Sequence, residues 1–145
     1  SERHGGWIAA DYQHSVVKVY LDAPAANDET MNWLTGCPHL QTLSVGEGAR
    51  VSNAGLSKLS HFPGLRRLML QCGDIDDHGL VFIATCPELE ELWIHNLPIT
   101  DKGLRHLASL KRLRYLSVDN TLVSEEGIAQ LQSRLPNCEI NYLGD

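Results

Sequence analysis

Apolar residues recur along this chain as apolar-x-x-apolar-x-apolar, and the pattern restarts every 24 or 25 residues. The copies are Val16/Val19/Leu21, Leu40/Leu43/Val45, Leu65/Leu68/Leu70, Leu89/Leu92/Ile94 and Leu113/Leu116/Val118, with a degenerate last copy at Cys138/Asn141/Leu143. Their first positions are spaced 24, 25, 24, 24 and 25. Alternation within each copy predicts a short strand with one face buried. A period of this length predicts a stack of like units rather than a single layered core.

The second half of each unit keeps the same frame. After the strand comes an apolar column, Ala26, Val51, Ile75, Ile99 and Val123. Next is a column of helix N-cap types, Asn27, Ser52, Asp76, Thr100 and Ser124, whose side-chain oxygens can accept from free helix N–H groups. Three residues on stand Thr30, Gly55, Gly79, Gly103 and Gly127, where the recurring glycine predicts close helix–strand packing. The pairs Met31/Leu34, Leu56/Leu59, Leu80/Ile83, Leu104/Leu107 and Ile128/Leu131 then fall on one helical face.

Strand, turn, short helix and return therefore make each unit. Parallel strands stack about 4.8 Å apart, whereas packed helices need about 8–10 Å. The mismatch bends the stack. The expected fold is α/β, a right-handed solenoid or horseshoe with a parallel concave sheet and short convex helices. Residues 1–15 are expected to form an N-terminal cap segment, with 7–12 (Trp7 to Tyr12) as a capping strand. Residues 16–145 are expected to form the repeat domain, five repeats and a degenerate C-terminal cap, because Cys138 and Asn141 replace leucines there. His4-Gly5-Gly6 resembles the stop of an upstream helix, so the expectation is that the N-terminus is trimmed and the C-terminus native.

Composition narrows the function. The net charge of −6, from 12 basic and 18 acidic residues, argues against a nucleic-acid footprint. No apolar run reaches the ~20 residues that span a bilayer, so this fragment is expected to make no membrane contact. The cysteines suggest neither zinc nor a disulfide. Cys37 and Cys86 share a core column with Phe62, Leu110 and Leu135, and Cys138 stands in a leucine column. There is no C-x-x-C pair. Only Cys72 lacks a place in the repeat. No metal or cofactor is expected.

The outward positions of the strands form three columns. The first runs Lys18, Thr42, Arg67, Glu91, Tyr115, Ile140; the second Tyr20, Ser44, Met69, Trp93, Ser117, Tyr142; the third Asp22, Gly46, Gln71, His95, Asp119, Gly144. Trp, Tyr, Met and Arg are enriched at interface cores, so Arg67, Met69, Glu91, Trp93, His95, Tyr115 and Asp119, with Tyr20 and Tyr142, are the candidate partner-binding residues. Arg66, Glu90, Arg114 and Glu139 alternate in sign and read as a structural charge ladder. His95, Asp119 and Ser117 supply the residue types of a hydrolytic triad, but on an open sheet without a pocket or oxyanion donors. No catalytic residue is therefore assigned.

The stretch Ile99-Thr100-Asp101-Lys102-Gly103-Leu104-Arg105-His106-Leu107, followed by Leu113-Arg114-Tyr115-Leu116-Ser117-Val118, resembles the leucine-rich-repeat superfamily, in its short ribonuclease-inhibitor-like, cysteine-containing type. Leu135-Pro136-Asn137-Cys138-Glu139-Ile140 is similar to the last repeat of bacterial members. The likeness spans about residues 16 to 143. It implies the fold and not the function, since members serve as inhibitors, receptors and adaptors alike. The outward columns centred on Trp93 point to a non-catalytic module that binds a protein partner on its concave sheet, and the capped ends to a monomer. The alternative is a structural spacer or assembly domain of a larger protein, and the bacterial look is compatible with a membrane anchor ahead of residue 1. A hydrolase built on His95, Asp119 and Ser117 is the remote alternative.

Overall fold

The computed structural model describes residues 6–10, 16–22, 26–71 and 73–143, with the backbone alone at 6–10 and 16. The columns read from the sequence become a seven-stranded sheet in sequence order. Strand β1 (Gly6–Ala10) pairs antiparallel with β2 (Val16–Leu21), Trp7 opposite Tyr20. From β2 the sheet is parallel through β3 (Thr42–Val45), β4 (Arg67–Leu70), β5 (Glu91–Ile94), β6 (Tyr115–Ser117) and β7 (Glu139–Asn141). Residues 11 and 12 of the expected capping strand lie outside the described residues.

Between the strands run α1 (Asp28–Leu34), α2 (Asn53–Leu56), α3 (Asp77–Ile83), α4 (Asp101–Leu104) and α5 (Glu125–Arg134). Helices α2 and α4 pass after one turn into 3₁₀ turns, Ser57–His61 and Arg105–Ser109. The core is one continuous stripe between sheet and helices. It takes the strand leucines, the column Ala26/Val51/Ile75/Ile99/Val123 and the inner helical residues, of which only Ile128 is partly exposed. The fold is an α/β solenoid.

All five expected caps form. Asn27, Ser52, Asp76, Thr100 and Ser124 each accept from a backbone N–H in the first turn of the following helix. Their own N–H groups are satisfied by a second device, unforeseen in the sequence. The first helical residue of each unit reaches forward to the cap of the next. Asp28 accepts from Ser52 N–H at 2.8 Å and Ser52 Oγ at 2.5 Å. Asp77 does the same to Thr100, and Asp101 to Ser124, with the same distances.

The glycine column serves that device. A Cβ at Gly55, Gly103 or Gly127 would fall within the van der Waals shell of the Asp28, Asp77 or Asp101 carboxylate, and one at Gly79 would lie 2.6 Å from Asn53 Oδ1. The glycines thus admit the polar side chain of the preceding helix, which corrects the expectation of helix–strand packing. Thr30 fits the same logic. No helix precedes α1 among the described residues, and Thr30 Oγ1 itself accepts the Asn27 N–H at 3.1 Å, closing a capping box.

The last strand departs from the expected register. Glu139 stands opposite Tyr115, Ile140 opposite Leu116 and Asn141 opposite Ser117. The cause is local: one residue separates Cys138 from Ile140, whereas two separate Leu113 from Leu116. The unit is one residue short at the strand's start, so every later side chain changes face.

Of the cysteines, Cys86 and Cys138 are buried, Cys37 is half-buried and all three are free thiols. Cys72 lies outside the described residues. Burial pushes the Cys86 and Cys138 thiols up to about 11. No cluster of three metal-ligating side chains occurs among the described residues.

Candidate functional site

Short strands only a few residues long carry the concave surface, and their pairing fixes which side chains meet. One column reads Lys18, Thr42, Arg67, Glu91, Tyr115, Glu139, and the next Tyr20, Ser44, Met69, Trp93, Ser117, Asn141. Glu139 and Asn141 thus replace the expected Ile140 and Tyr142. Ile140 turns toward the core, and so does Tyr142, whose hydroxyl donates to the Val123 carbonyl at 3.2 Å. Tyr142 is therefore not a concave-face residue. The spacing of Cys138 and Ile140 was the signal that could have shown this.

The centre of the sheet gathers the remaining candidates. Trp93 lies beside Met69 in register, and its ring meets that of Tyr115 at 5.2 Å between centroids with planes tilted by 45°. Such a diagonal pair across neighbouring strands holds both rings in place while leaving each partly exposed. Arg67 and Glu91, opposite each other on β4 and β5, form an ion pair. Tyr20 is on β2, three strands from Trp93 and so about 14 Å away. It is outside this cluster.

The alternating ladder closes no ion pair among Arg66, Glu90 and Arg114. Among the described residues the Arg–Glu pairs are Arg67–Glu91 and Arg112–Glu88, the latter at 2.7 Å in the loops before the strands.

His95, Ser117 and Asp119 do come together, though not as a triad. His95 Nε2 lies 2.9 Å from Ser117 Oγ and 3.7 Å from Asp119 Oδ2, so one ring nitrogen faces both groups. A relay needs the carboxylate on the other nitrogen. Ser117 is also 1% exposed and donates to Asp119 at 3.4 Å, which leaves no approach for a substrate carbonyl. The cluster is a polar clasp. Beyond it, Asn96 and Asn120 hold left-handed backbone (φ 60° and 53°), and the Asn120 amide donates to Asn96 Oδ1 at 2.8 Å. Repetition of Asn at a spacing of 24 was its sequence signal.

The sequence profile of the family described as "FBD-associated F-box protein At5g56370, LRR repeats" matches residues 7–130, most of the chain. The chain belongs to the leucine-rich-repeat family. No curated protein sequence matches it. Among solved structures, internalin C2 of Listeria monocytogenes is similar at 23% identity and a TM-score of 0.59, covering 76% of this chain and 45% of that one. A leucine-rich-repeat protein of Leptospira interrogans is similar at 22% identity and a TM-score of 0.55, over 74% of this chain and 26% of that one. Actin-binding site 2 of leiomodin-1 is similar at 18% and 0.64, over 81% and 79%.

At these identities the likeness is one of fold. This chain spans less than half the length of the internalin structure and about a quarter of the Leptospira one. Leucine-rich repeats commonly bind proteins on their extended concave surfaces and are typically non-enzymatic. Among the described residues, no helix is long and apolar enough to cross a membrane.

Proposed function

We propose that this leucine-rich-repeat domain is a non-catalytic protein-binding module that takes its partner on the concave sheet. The observation that carries the reading is Trp93, part-exposed at the centre of the sheet, held against Tyr115 and flanked in register by Met69. Large aromatic anchors fixed by their neighbours lose little entropy on binding, which is why hot spots favour them. Arg67, Glu91, His95 and Asp119 form the polar surround. Residues 1–15 serve as cap and the repeats from residue 16 as the recognition frame, and the module acts as a monomer.

Affinity capture from lysate of the source organism tests this, comparing the native chain with the Trp93→Ala/Arg67→Ala double variant. A protein held by the native chain and lost by the variant is the expected result. Equal retention by both sinks the concave-face reading.

Equal retention is what a spacer or assembly domain predicts. Leu122 and Leu143, 66% and 70% exposed near the C-terminal end of the stack, favour that second reading.

A further inference from the structure

Charge is unevenly spread across the concave sheet. On β5 to β7, with His95 just after β5 and Asp119 two residues past the end of β6, the outward positions are Glu91, Trp93, His95, Tyr115, Ser117, Asp119, Glu139 and Asn141. None is Lys or Arg. The concave cations, Lys18 and Arg67, stand on β2 and β4. The basic residues of the later units lie off these strands: Lys102 and Arg134 on helices, Arg105 in a 3₁₀ turn, Lys111 and Arg112 in a loop, and Arg114 one residue ahead of β6.

Within this half, register sets Tyr115 between two carboxylates, Glu91 on β5 and Glu139 on β7. Glu91 is engaged by Arg67. Glu139 is exposed and its side chain enters no ion pair among the described residues, although its backbone N–H donates to the Arg114 carbonyl at 2.8 Å. An aromatic pair presents electron-rich ring faces, and a carboxylate beside it adds full negative charge. Together they favour a cation.

We propose that the concave face recognises a basic segment of its protein partner, with an arginine seated against Trp93 and Tyr115 and paired to Glu139. The proposal rests on the concave-face reading and specifies its partner. An acidic partner would meet Glu91, Asp119 and Glu139 as like charges. A wholly apolar one would cover Glu139 without pairing it, which is costly once water is excluded. Arginine suits the site better than lysine because its planar guanidinium stacks on a ring while its N–H groups reach a carboxylate.

The test is selection of random peptides displayed on phage against the native chain, with parallel selections on Trp93→Ala and Glu139→Gln. Circular dichroism of each variant confirms the fold, and both substitutions are at surface positions. Enrichment of arginine-bearing peptides on the native chain is expected. They should bind Trp93→Ala about tenfold more weakly and lose part of their salt dependence on Glu139→Gln. Peptides lost on Trp93→Ala but not enriched in basic residues overturn the proposal and leave the concave reading standing. Peptides retained by Trp93→Ala, or no enrichment at all, overturn both.

Discussion

Asn53 and Asp76 exchange hydrogen bonds across a repeat boundary. The Asn53 amide donates to Asp76 Oδ1 at 2.7 Å, and the Asp76 N–H donates to Asn53 Oδ1 at 3.1 Å. At the three boundaries whose cap is a hydroxyl residue, the forward-reaching side chain is aspartate: Asp28 to Ser52, Asp77 to Thr100 and Asp101 to Ser124. Where the cap is itself an aspartate, the reaching residue is the neutral amide. Each boundary thus pairs one carboxylate with one donor and never sets two carboxylates together.

Asn53→Asp should break this rule. The Asn53 amide is the main reason the Asp76 carboxyl sits below the usual carboxylate range, followed by the His78 N–H. A carboxyl lowered on folding stabilises the fold above its ordinary value, and that stability is lost as pH falls through the folded value. Because Asp76 is about half exposed and solvent screens the pair, Asn53→Asp should cost only about 0.5–1 kcal/mol at neutral pH and less as the pair becomes protonated below about pH 4. Adding Asp76→Ser recreates the aspartate–serine pairing and should recover most of the loss. Urea unfolding of the single and double variants measures this, and a double variant no more stable than the single one refutes it.

Gly103→Ala should destabilise by about 1–3 kcal/mol through overpacking. Its Cβ would press on the Asp77 carboxylate and lie 3.0 Å from the Asp77 Cα, which is backbone and cannot rotate away. Gly64→Ala is the control, because nothing lies within 4 Å of a Cβ built there. Equal melting temperatures for the two variants would count against the packing account.

Cys86 and Cys138 should resist alkylation at pH 8, since burial raises both thiols from 9.0 to about 11 and the reactive thiolate is scarce. A thiol raised on folding adds stability that is complete below its ordinary value and is lost as pH climbs through the folded one. Stability should accordingly fall between about pH 9 and 11. Peptide-level mass spectrometry after iodoacetamide treatment, with and without denaturant, reads the first point. Rapid native labelling of Cys86 contradicts it.

Trp93→Ala should leave the fold intact while removing partner capture. The contact with Tyr115 is worth about 0.5–1.5 kcal/mol, and the ring is already partly exposed. Calorimetric melting should show only a small decrease. A collapse in stability would mean that Trp93 is a structural residue.

His95→Ala and Ser117→Ala should not alter hydrolysis of activated esters by the chain. The single nitrogen shared between Ser117 and Asp119 and the burial of Ser117 give no catalytic geometry to lose. An activity abolished by either substitution would reverse this assignment.

The amino-acid sequence by itself determined the period, the strand and helix columns, the five caps and the curved α/β stack. Each of these depends on contacts repeated in every unit, so a leucine at 68 and one at 92 carry the same message in the same frame. It also placed Arg67, Met69, Trp93 and Tyr115 on one face, because strand alternation is a rule of period two. Other features were decided only by the tertiary structure. The role of the glycines depends on which neighbour presses against them, and that neighbour is Asp77 or Asp101 of the preceding unit, 26 residues away in sequence. The face taken by Tyr142 turns on a one-residue shortening before β7, and a single slip in register reverses every side chain beyond it. Whether Ser117 could act as a nucleophile was set by burial and by which nitrogen of His95 it meets, neither of which residue type encodes. Periodic order is local and written many times over; the single contacts that close the ends and shape the site are written once, and exist only when the chain is folded.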